Sequence, residues 1–529
     1  MLSGDEAVGL AARHAGIALG AGYPGTPSTE ILEHFAALGG AARWSPNEKV
    51  ALEVAIGAAY AGARALATMK HVGLNVAADP LFTVAYTGVT GALIVISADD
   101  PGLASSQNEQ DNRHYAVAAG VPMVEPADSQ EAYDFFLAAV ELSERWQVPV
   151  LFRMTTRVCH SKTVVTTRPS QPPPPAPHYE RDVRTRVMIP AFARPAHREL
   201  RRKLAELAAW NETSTFISRT PGDRRLGFIT SGIAFMHVRE AFPDAPVLKL
   251  GLTYPLPMGQ VEQFVGEVDD CLVIEEGDPW LADAIRAHGL KVRSKPAPFR
   301  FGELNVNRVR RIVANDLSPE SEPPPGKAPQ LCEGCSHRVV FEALRDLDCI
   351  VAGDIGCYTL GVLPPFNAMD TCVCMGASLG VGLGLRHTLP PAQARRVVSV
   401  IGDSTFIHSG LTGLVEMVYN PPATGHVLII LDNSTTAMTG HQENPATGRS
   451  LQHEPTHRVV FEDLARALGI RRVHVVDPRP NSPEIATTIR DCLASGELAV
   501  IITRRPCILI ARQIREFEKC ATVCEVHEH

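Results

Sequence analysis

Two segments of the chain place oxygen-bearing side chains at the ends of predicted strands. Asp403 follows an apolar run that ends in Gly402, and Asn433 follows the apolar strand Val427–Leu431. Because parallel strands end at the same edge of a sheet, both side chains are expected at one crevice. Their oxygens and a backbone carbonyl could supply half of an octahedral shell, which a diphosphate and a water would complete. The pattern predicts a hard cation bound with a diphosphate; the alternative is an ordinary βαβ unit with polar strand ends.

A glutamate in a predicted helix could supply an acid to such a site. The stretch from Gly402 to Gln442 resembles the magnesium–diphosphate motif of thiamine diphosphate enzymes, with Ser404 where glycine is common. Thiamine needs a carboxyl at its pyrimidine ring to reach the tautomer that activates the thiazolium carbon. Glu53 has apolar neighbours in the sequence, which would disfavour its charged form, so it is the predicted acid. Glu48 is the weaker rival, and a surface glutamate is the alternative for Glu53.

Four cysteines could meet at strand ends of the same domain. Cys332 and Cys335 share one loop, Cys357 follows a predicted strand, and Cys507 follows the last strand. Four thiolates bind either zinc or an iron–sulfur cluster, and the spacing alone does not decide between them. A redox cluster would be useful beside thiamine because it can accept electrons one at a time. Six other cysteines are interpreted as small buried apolar residues, and Cys520 and Cys524 receive no role.

The composition excludes several classes of protein. The 529 residues are 45% hydrophobic and 20% charged, so a large core is expected and general disorder is not. A net charge of -8 with no basic run argues against nucleic-acid binding. The amino terminus does not resemble a signal peptide, and no apolar run is long enough to span a membrane. The 12 scattered cysteines, with one Cys-x-x-Cys, indicate metal or redox chemistry in a reducing cytoplasm.

Alternating helical and strand-like segments predict an α/β protein built from parallel sheets. Proline-rich stretches separate the predicted domains. The predicted divisions are a first α/β domain at 1–160, a linker and helix at 161–223, a second α/β domain at 224–317, a linker at 318–330, a third α/β domain at 331–515 and a tail at 516–529.

Several motifs together identify a family. The chain resembles the thiamine-binding subunit family of indolepyruvate:ferredoxin oxidoreductases, within the 2-oxoacid:ferredoxin oxidoreductase superfamily. Besides the stretch 402–442, the motifs that carry the resemblance are Gly22–Ser28, Asn47–Glu53, Met69–Asn75, Ser97–Pro101, Ser105–Asp111 and Cys332–Arg338. The resemblance implies a thiamine diphosphate-binding fold, with a pyrimidine-binding domain first, a transketolase C-terminal-like domain in the middle and a diphosphate-binding domain last.

The resemblance also implies roles for individual residues. Asp403, Asn433 and the carbonyl of Thr435 are the expected Mg²⁺ ligands, and Glu53 is the expected thiamine-activating acid. Thr26 is expected near the reacting carbon, although a helix cap would also suit it. Lys70 and His71 are expected to end a strand beside the cofactor. His71 is a catalytic candidate for which a purely structural role stays open, and His441 is a candidate for proton transfer. Further expected cofactor contacts are Gly402, Ser404, Lys70, Gly356 and Tyr358. Cys332, Cys335, Cys357 and Cys507 are the expected ligands of one four-iron cluster.

Two departures from the family pattern affect the functional prediction. Family members usually continue into a ferredoxin-like module, whereas this sequence ends at His529 with only Cys520 and Cys524 in that region. A partner subunit or a separate ferredoxin would then have to carry the electrons away. In addition, the strand Ile96–Asp100 lacks the arginine that pyruvate-type relatives carry there. Its absence fits a bulkier, aryl 2-oxo acid.

The predicted function is oxidative decarboxylation of an indolepyruvate-like 2-oxo acid to an acyl-CoA. Thiamine diphosphate, Mg²⁺ and one 4Fe–4S cluster are the expected cofactors. Coenzyme A, a smaller partner subunit and ferredoxin or a similar acceptor are the expected partners, with a dimer of this subunit at the centre. Two alternatives remain open: a non-oxidative thiamine-dependent decarboxylase or carboligase, and a non-catalytic assembly subunit with zinc on its cysteines.

Overall fold

A computed structural model describes residues 1–170, 174, 176–320 and 329–517. The chain divides into two compact units, Met1–Ser321 and Glu322–His529. In the part that the structure describes, no helix is both long enough and apolar enough to cross a membrane. Cys520 and Cys524 lie outside the described residues.

The first part of unit 1 alternates helices and strands as predicted. Its helices are α1 Gly4–His14, α2 Thr29–Ala37, α3 Glu48–Tyr60, α4 His71–Val76, α5 Ala78–Thr87, α6 Arg113–Ala119, α7 Ser129–Trp146 and α8 Thr156–His160. Its strands are β1 Leu19–Gly22, β2 Ala42–Trp44, β3 Ala65–Lys70, β4 Leu93–Asp99, β5 Met123–Val124 and β6 Val150–Thr155.

The remainder of unit 1 contributes a second set of elements. Its helices are α9 Val183–Arg186, α10 Pro190–Asn211, α11 Ala234–Ala241, α12 Met258–Glu267, α13 Trp280–Ala287 and α14 Val306–Ala314, with a 3₁₀ turn at Ala297–Arg300. Its strands are β7 Ile217–Thr220, β8 Gly227–Thr230, β9 Val247–Leu250, β10 Leu252–Tyr254, β11 Cys271–Ile274 and β12 Arg293–Ser294.

Unit 1 contains two sheets, and the chain passes from the second sheet back to the edge of the first. The first has the order β10-β5-β6-β4-β3-β1-β2, and the second has the order β12-β11-β8-β9-β7. All pairings are parallel except β10 with β5 and β7 with β9. The chain leaves β9 of the second sheet, passes Gly251 and enters β10 at the edge of the first sheet. The central strands β3, β4 and β6 are buried along their whole length, as expected for a parallel sheet covered on both faces.

Unit 2 is built on one parallel sheet with the order β13-β14-β15-β17-β16. Its strands are β13 Ile350–Ala352, β14 Val397–Gly402, β15 His426–Asp432, β16 Arg472–Val476 and β17 Leu498–Arg504. Its helices are α15 Ser336–Asp346, α16 Ala377–Thr388, α17 Pro391–Ala394, α18 Asp403–Thr405, α19 Leu411–Tyr419, α20 Phe461–Ala467 and α21 Glu484–Ser495. Shorter turns lie at Cys357–Val362, Phe406–Gly410 and Ala437–Thr439.

The sheet of unit 2 has a separate core on each face. Val427, Ile429 and Leu431 of β15 pack into one apolar cluster, and Leu428 and Ile430 pack into the other. Successive side chains of a strand point to opposite faces, so a continuous apolar strand can supply both clusters. This packing fixes where β14 and β15 end.

Candidate active site

The ends of β14 and β15 lie side by side in unit 2. The two strands pair in parallel, with Gly402 opposite Leu431. Asp403 and Asn433 follow directly, and their exposures are only 3% and 8%. The backbone amides of Ser434 and Thr435 face the Asp403 carboxylate. The structure therefore brings together the three residues predicted to bind Mg²⁺.

One oxygen of the Asp403 carboxylate is available to bind a ligand. Its Oδ1 accepts the Ser404 amide at 2.7 Å, whereas Oδ2 is buried and has no hydrogen-bond partner among the described residues. Burial and the nearby Asp432 carboxylate raise the pKa of Asp403 well above its ordinary value. A buried carboxylate oxygen without a partner is unfavourable unless a cation or proton neutralises it. The residues present thus fit a bound divalent cation.

The loop after β15 holds the other two expected ligands. The Asn433 Oδ1 accepts the Thr435 amide at 3.2 Å, and the Thr435 hydroxyl donates to the Gln442 carbonyl at 3.3 Å. The Thr436 hydroxyl donates to the Ser404 hydroxyl at 2.9 Å. This last bond links the loop after β15 to the residue after Asp403, so it fixes the spacing of the two strand ends.

Gly402 and Gly356 are required by the packing of one aromatic ring. A Cβ on Gly402 would lie 2.6 Å from Cε1 of Tyr358, and a Cβ on Gly356 would lie 2.4 Å from the same atom. Tyr358 is buried, and its hydroxyl donates to the Ile355 carbonyl at 3.0 Å. Close packing explains both glycines and the tyrosine, and the cofactor contacts predicted for them stay predictions.

Asp354 is a buried carboxylate for which sequence reasoning assigned no role. It accepts the backbone amides of Ile355 and Gly376, both at 2.9 Å, and of Ser378 at 3.0 Å. Burial raises its pKa even with these three donors. The signal was present in the sequence, because Gly353-Asp354 follows β13 in the same way that Gly402-Asp403 follows β14. Asp354 anchors the start of α16.

The four predicted cluster cysteines approach one another in unit 2. Burial raises the pKa of Cys357 to about 11, and the neighbouring thiols of Cys507, Cys335 and Cys332 add to this effect. All four are free thiols. The Cys335 amide donates to the Cys332 carbonyl at 3.1 Å, and the Cys507 amide donates to the Asn433 carbonyl at 2.9 Å. The second bond connects the cysteines directly to the predicted Mg²⁺ loop.

The cysteines do not form a closed metal site. Among the described residues, no three cysteine sulfurs lie within 4.8 Å of one another. A tetrahedral zinc ion with Zn–S bonds of about 2.3 Å would hold its sulfurs about 3.8 Å apart. The four sulfurs therefore do not form a preformed site for one zinc ion.

His337 lies between the cysteines and the magnesium loop. It is buried, and burial lowers its pKa to about 4, so the ring is neutral. Its Nε2 faces the Asn433 amide nitrogen at 3.5 Å, and its ring contacts the edge of Tyr358 with 6.1 Å between centroids. A neutral imidazole in this position restricts how the Asn433 amide can turn.

The expected burial of Glu53 is wrong. Glu53 lies on the exposed face of α3 and pairs with Lys49, whose side chain is equally exposed. Glu48 is the buried glutamate of this helix, at 5% exposure. Its carboxyl group packs against Gly73, where a Cβ would lie 2.7 Å from Oε1. The predicted acid role of Glu53 depended on burial of its carboxyl group, which the structure does not show. Glu48, the weaker candidate, is buried.

Lys70 and His71 occupy the end of β3 as predicted. The Lys70 ammonium donates to the Ser105 carbonyl at 2.6 Å, and burial lowers its pKa to about 8. His71 is fully buried and its Nε2 donates to the Asn108 carbonyl at 3.1 Å, which leaves Nδ1 without a hydrogen-bond partner among the described residues. The hydrogen bond to the backbone favours a structural role for Nε2, whereas Nδ1 remains available to bind another group.

Thr26 and His441 both lie in loops. Thr26 is half-buried ahead of α2, whose N-cap position is occupied by Ser28, so Thr26 does not cap the helix. His441 has a left-handed backbone with φ of 68°, and burial lowers its pKa. The predicted roles of these two residues in chemistry stay predictions.

Two family models match the chain. Residues 10–201 match a thiamine diphosphate-binding domain described as "Pyruvate flavodoxin/ferredoxin oxidoreductase, thiamine diP-bdg". Residues 354–503 match "Thiamine pyrophosphate enzyme, C-terminal TPP binding domain". The first match includes Glu48 and Lys70, and the second includes Asp354, Asp403 and Asn433. Together with the parallel sheets, they confirm the predicted thiamine diphosphate-binding fold.

Curated relatives match over nearly the whole chain. The indolepyruvate oxidoreductase subunit IorA of Archaeoglobus fulgidus is 40% identical over 98% of this chain and 88% of its own length. The chain belongs to the IorA family. IorA of Methanothermobacter marburgensis is 40% identical over 98% of this chain and 89% of its own length, and IorA of Pyrococcus horikoshii is 36% identical over 100% and 89%.

A solved 2-oxoglutarate:ferredoxin oxidoreductase from Magnetococcus marinus is 18% identical, with a TM-score of 0.49 over 59% of this chain and 65% of its own. That similarity is too low to support an argument, so membership of the IorA family rests on the sequence relatives.

Proposed function

We propose that this chain is the thiamine diphosphate-binding subunit of an enzyme that oxidatively decarboxylates an indolepyruvate-like 2-oxo acid to an acyl-CoA. The relatives that are 36–40% identical are named indolepyruvate oxidoreductase subunits. The observation that carries the proposal is the buried Asp403 Oδ2, which has no hydrogen-bond partner among the described residues and lies beside the loop that bears Asn433.

Asp403, Asn433 and the Thr435 carbonyl would hold Mg²⁺ and, through it, the diphosphate of the cofactor. Mg²⁺ prefers oxygen ligands in octahedral geometry. In proteins its coordination shell commonly combines carboxylate oxygens with phosphate oxygens of a bound molecule. Thiamine diphosphate, when bound, supplies the nucleophilic carbon that attacks the 2-oxo group and the electron sink that permits loss of CO₂. The short loop bonds between Ser404, Thr436 and Gln442 support this assignment because they preorganise the ligands.

Glu48 takes the acid role that was predicted for Glu53. Its carboxyl would share a proton with the pyrimidine ring of thiamine, and burial on α3 strengthens such a hydrogen bond because the local dielectric is low. Thr26, Lys70 and His71 lie at or after the ends of strands of the same sheet and are proposed to face the substrate or cofactor. His441 remains a candidate for proton transfer.

Cys332, Cys335, Cys357 and Cys507 are proposed to hold one 4Fe–4S cluster. The proximity of their thiols supports this assignment. Electrons would then pass to ferredoxin or a similar carrier, aided by a smaller partner subunit, with a dimer of this chain at the centre. We further propose a cytoplasmic location, which agrees with the ten described cysteines all being free thiols.

Anaerobic purification followed by activity assays tests the proposal. The protein should be brown, contain iron and thiamine diphosphate, and reduce a dye acceptor when given a 2-oxo acid and coenzyme A. Asp403→Ala should lose bound thiamine diphosphate and Mg²⁺, whereas the exposed Asp463→Ala on α20 should retain both. Full cofactor occupancy of Asp403→Ala at low Mg²⁺ would show that the site is wrong. Product formation without dye reduction would instead indicate a non-oxidative enzyme.

A further inference from the structure

Three helices of unit 1 meet away from the strand ends described above. Asp5 of α1, Glu30 of α2 and His160 of α8 place one ligand atom each within 4.8 Å of one another. The approach of α1 to α8 depends on Gly4, since a Cβ there would lie only 2.2 Å from the Val158 carbonyl oxygen. Two carboxylates and an imidazole from three separate helices thus lie close together.

Asp5 is the unusual member of this group. It is 1% exposed, and neither carboxylate oxygen has a hydrogen-bond partner among the described residues. Burial raises its pKa well above the ordinary value, the adjacent Cys159 thiol partly opposes this, and the carboxylates of Glu30 and Glu6 raise the pKa further. An ionised carboxylate without a partner is costly to bury, so Asp5 requires either a proton or a cation.

We propose that Asp5, Glu30 and His160 bind one divalent transition-metal ion of the Zn²⁺ type. An imidazole nitrogen with two carboxylate oxygens is a donor set that suits Zn²⁺, whereas Mg²⁺ and Ca²⁺ prefer oxygen alone. Glu30 and His160 are exposed, which provides an entry path, while Asp5 supplies the buried charge. Binding would displace the Asp5 proton, as metal binding to acidic ligands generally does.

The surrounding charges leave this site negative. Glu6 already pairs with Lys162 at 3.0 Å, so the nearby lysine does not neutralise Asp5. A second group, Asp111, His114 and Asp278, has similar spacing. There, however, Asp111 contacts two buried arginines, Arg113 and Arg153, which oppose a cation. The second group therefore serves as a matched control.

A metal at Asp5 would hold the first turn of α2 against α1 and α8. The loop 22–28, which contains Thr26, leads directly into α2. The ion would therefore stabilise the segment that positions Thr26 without contacting the reaction itself. This role is separate from the proposed Mg²⁺ site, because its ligands come from unit 1 alone.

The test uses the full chain, purified without air and stripped of loosely bound metal with a chelator. Zn²⁺ is added alone, and zinc per chain and the thermal unfolding midpoint of unit 1 are measured. The wild type should bind one zinc more per chain than His160→Gln. Zn²⁺ should raise the unfolding midpoint of the wild type but not that of His160→Gln. His114→Gln should behave as the wild type, and Mg²⁺ should not substitute for Zn²⁺.

Asp5→Asn provides a second, independent readout. Without metal it should unfold at a higher temperature than the wild type, because a neutral amide replaces a carboxyl group that is hard to bury. With Zn²⁺ that order should reverse, since the amide is a poor ligand. Equal zinc content and equal midpoints for the wild type and His160→Gln would overturn the proposal and leave Asp5 as a permanently protonated residue beside Cys159. Zinc binding by cysteines elsewhere affects all variants equally and does not alter the comparison.

Discussion

Glu48 and Glu53 lie on one helix, yet only Glu48 is buried, because α3 presents a single face to the core. The buried positions are Glu48, Ala51, Leu52, Ala55 and Ala59. Their spacing of three and four residues is the repeat of a helix stripe. Glu53 lies outside that stripe and is exposed with Lys49. Position on the helix face, rather than the residues adjacent in sequence, decides which carboxyl can act as an acid.

Glu48→Gln should bind thiamine diphosphate and Mg²⁺ normally but lose turnover by about 10²–10⁴-fold, the usual contribution of a general acid–base group. The amide has the same shape and cannot share the required proton. Turnover of the 2-oxo acid with a dye acceptor measures the loss. Glu53→Gln, on the same helix, is the matched control and should keep nearly full activity. A larger loss in Glu53→Gln than in Glu48→Gln would reverse the assignment.

Lys70 should make stability depend on pH. Burial lowers its pKa to about 8 from 10.5, so between these values the unfolded chain binds more protons than the folded one, and stability rises with pH. Below pH 8 the folded protein bears the full penalty of the buried charge. Lys70→Met should therefore be more stable than the wild type at pH 7, and its advantage should shrink between pH 8 and 10.5.

Urea unfolding at a series of pH values measures this effect. The exposed Lys291→Met is the control, and its difference from the wild type should not change over the same range. A Lys70→Met advantage that stays constant from pH 7 to 10.5 would mean that the charge of Lys70 is not the cause.

At the scale of elements, long apolar segments were predictable and short ones were not. The predicted strand Val427–Leu431 is observed as His426–Asp432. This strand is recognisable because burial on both faces requires uninterrupted apolar residues. Short strands such as β5 and β12 contain two residues each, too few for a pattern to be visible.

Site residues at strand ends followed the same rule. Asp403 and Asn433 were predictable because two long strands point to them. The convergence of Asp5, Glu30 and His160 was not, because it depends on how three helices pack. Helix packing is set by contacts between residues distant in sequence, and local patterns do not contain that information.

Cys507, in the segment after β17, offers a test of the cysteine site. Cys507→Ser should lower the iron content of anaerobically purified protein while thiamine diphosphate binding is retained, because the predicted Mg²⁺ ligands precede it on other strands. Decarboxylation would then persist, and electron transfer to the dye would fail. Iron and thiamine analyses, with dye reduction, measure these effects.

Cys492→Ser is the matched control. Cys492 lies on α21, is buried in an apolar cluster and is not one of the four proposed ligands. Serine there should reduce stability by about 1–3 kcal/mol through burial of a hydroxyl and leave iron unchanged. Full iron in Cys507→Ser would exclude Cys507 as a ligand.

At the scale of unit 1, buried ion pairs join the two sheets. Arg113 is fully buried; it contacts Asp111 and donates to Glu275 at 2.6 Å. Arg153 of β6 contacts Asp99 and Glu125, both at 2.7 Å. These charges have lost their water, so each depends on its partners. Glu275 follows β11 of the second sheet, and Arg113 therefore connects that sheet to the elements of the first.

Arg113→Leu should destabilise unit 1 by about 3–5 kcal/mol, because it leaves buried carboxylates without their cation. Arg157→Leu is the matched control: Arg157 joins the same two regions by pairing with Glu303 at 2.7 Å, but both side chains are partly exposed to solvent. That loss should stay below about 1 kcal/mol. Chemical denaturation of both variants measures the difference. Equal losses would mean that burial of the Arg113 network contributes nothing.

The crossing strand β10 limits how this protein can be divided by recombination. Residues 252–254 come from the second half of unit 1 but close the edge of the first sheet against β5. A fragment ending at residue 160 would expose that edge, and unpaired strand edges promote association between chains. It would also separate Arg113 from Glu275. The two sheet-containing parts of unit 1 are therefore expected to be exchanged together by recombination, as one segment that extends past Glu275.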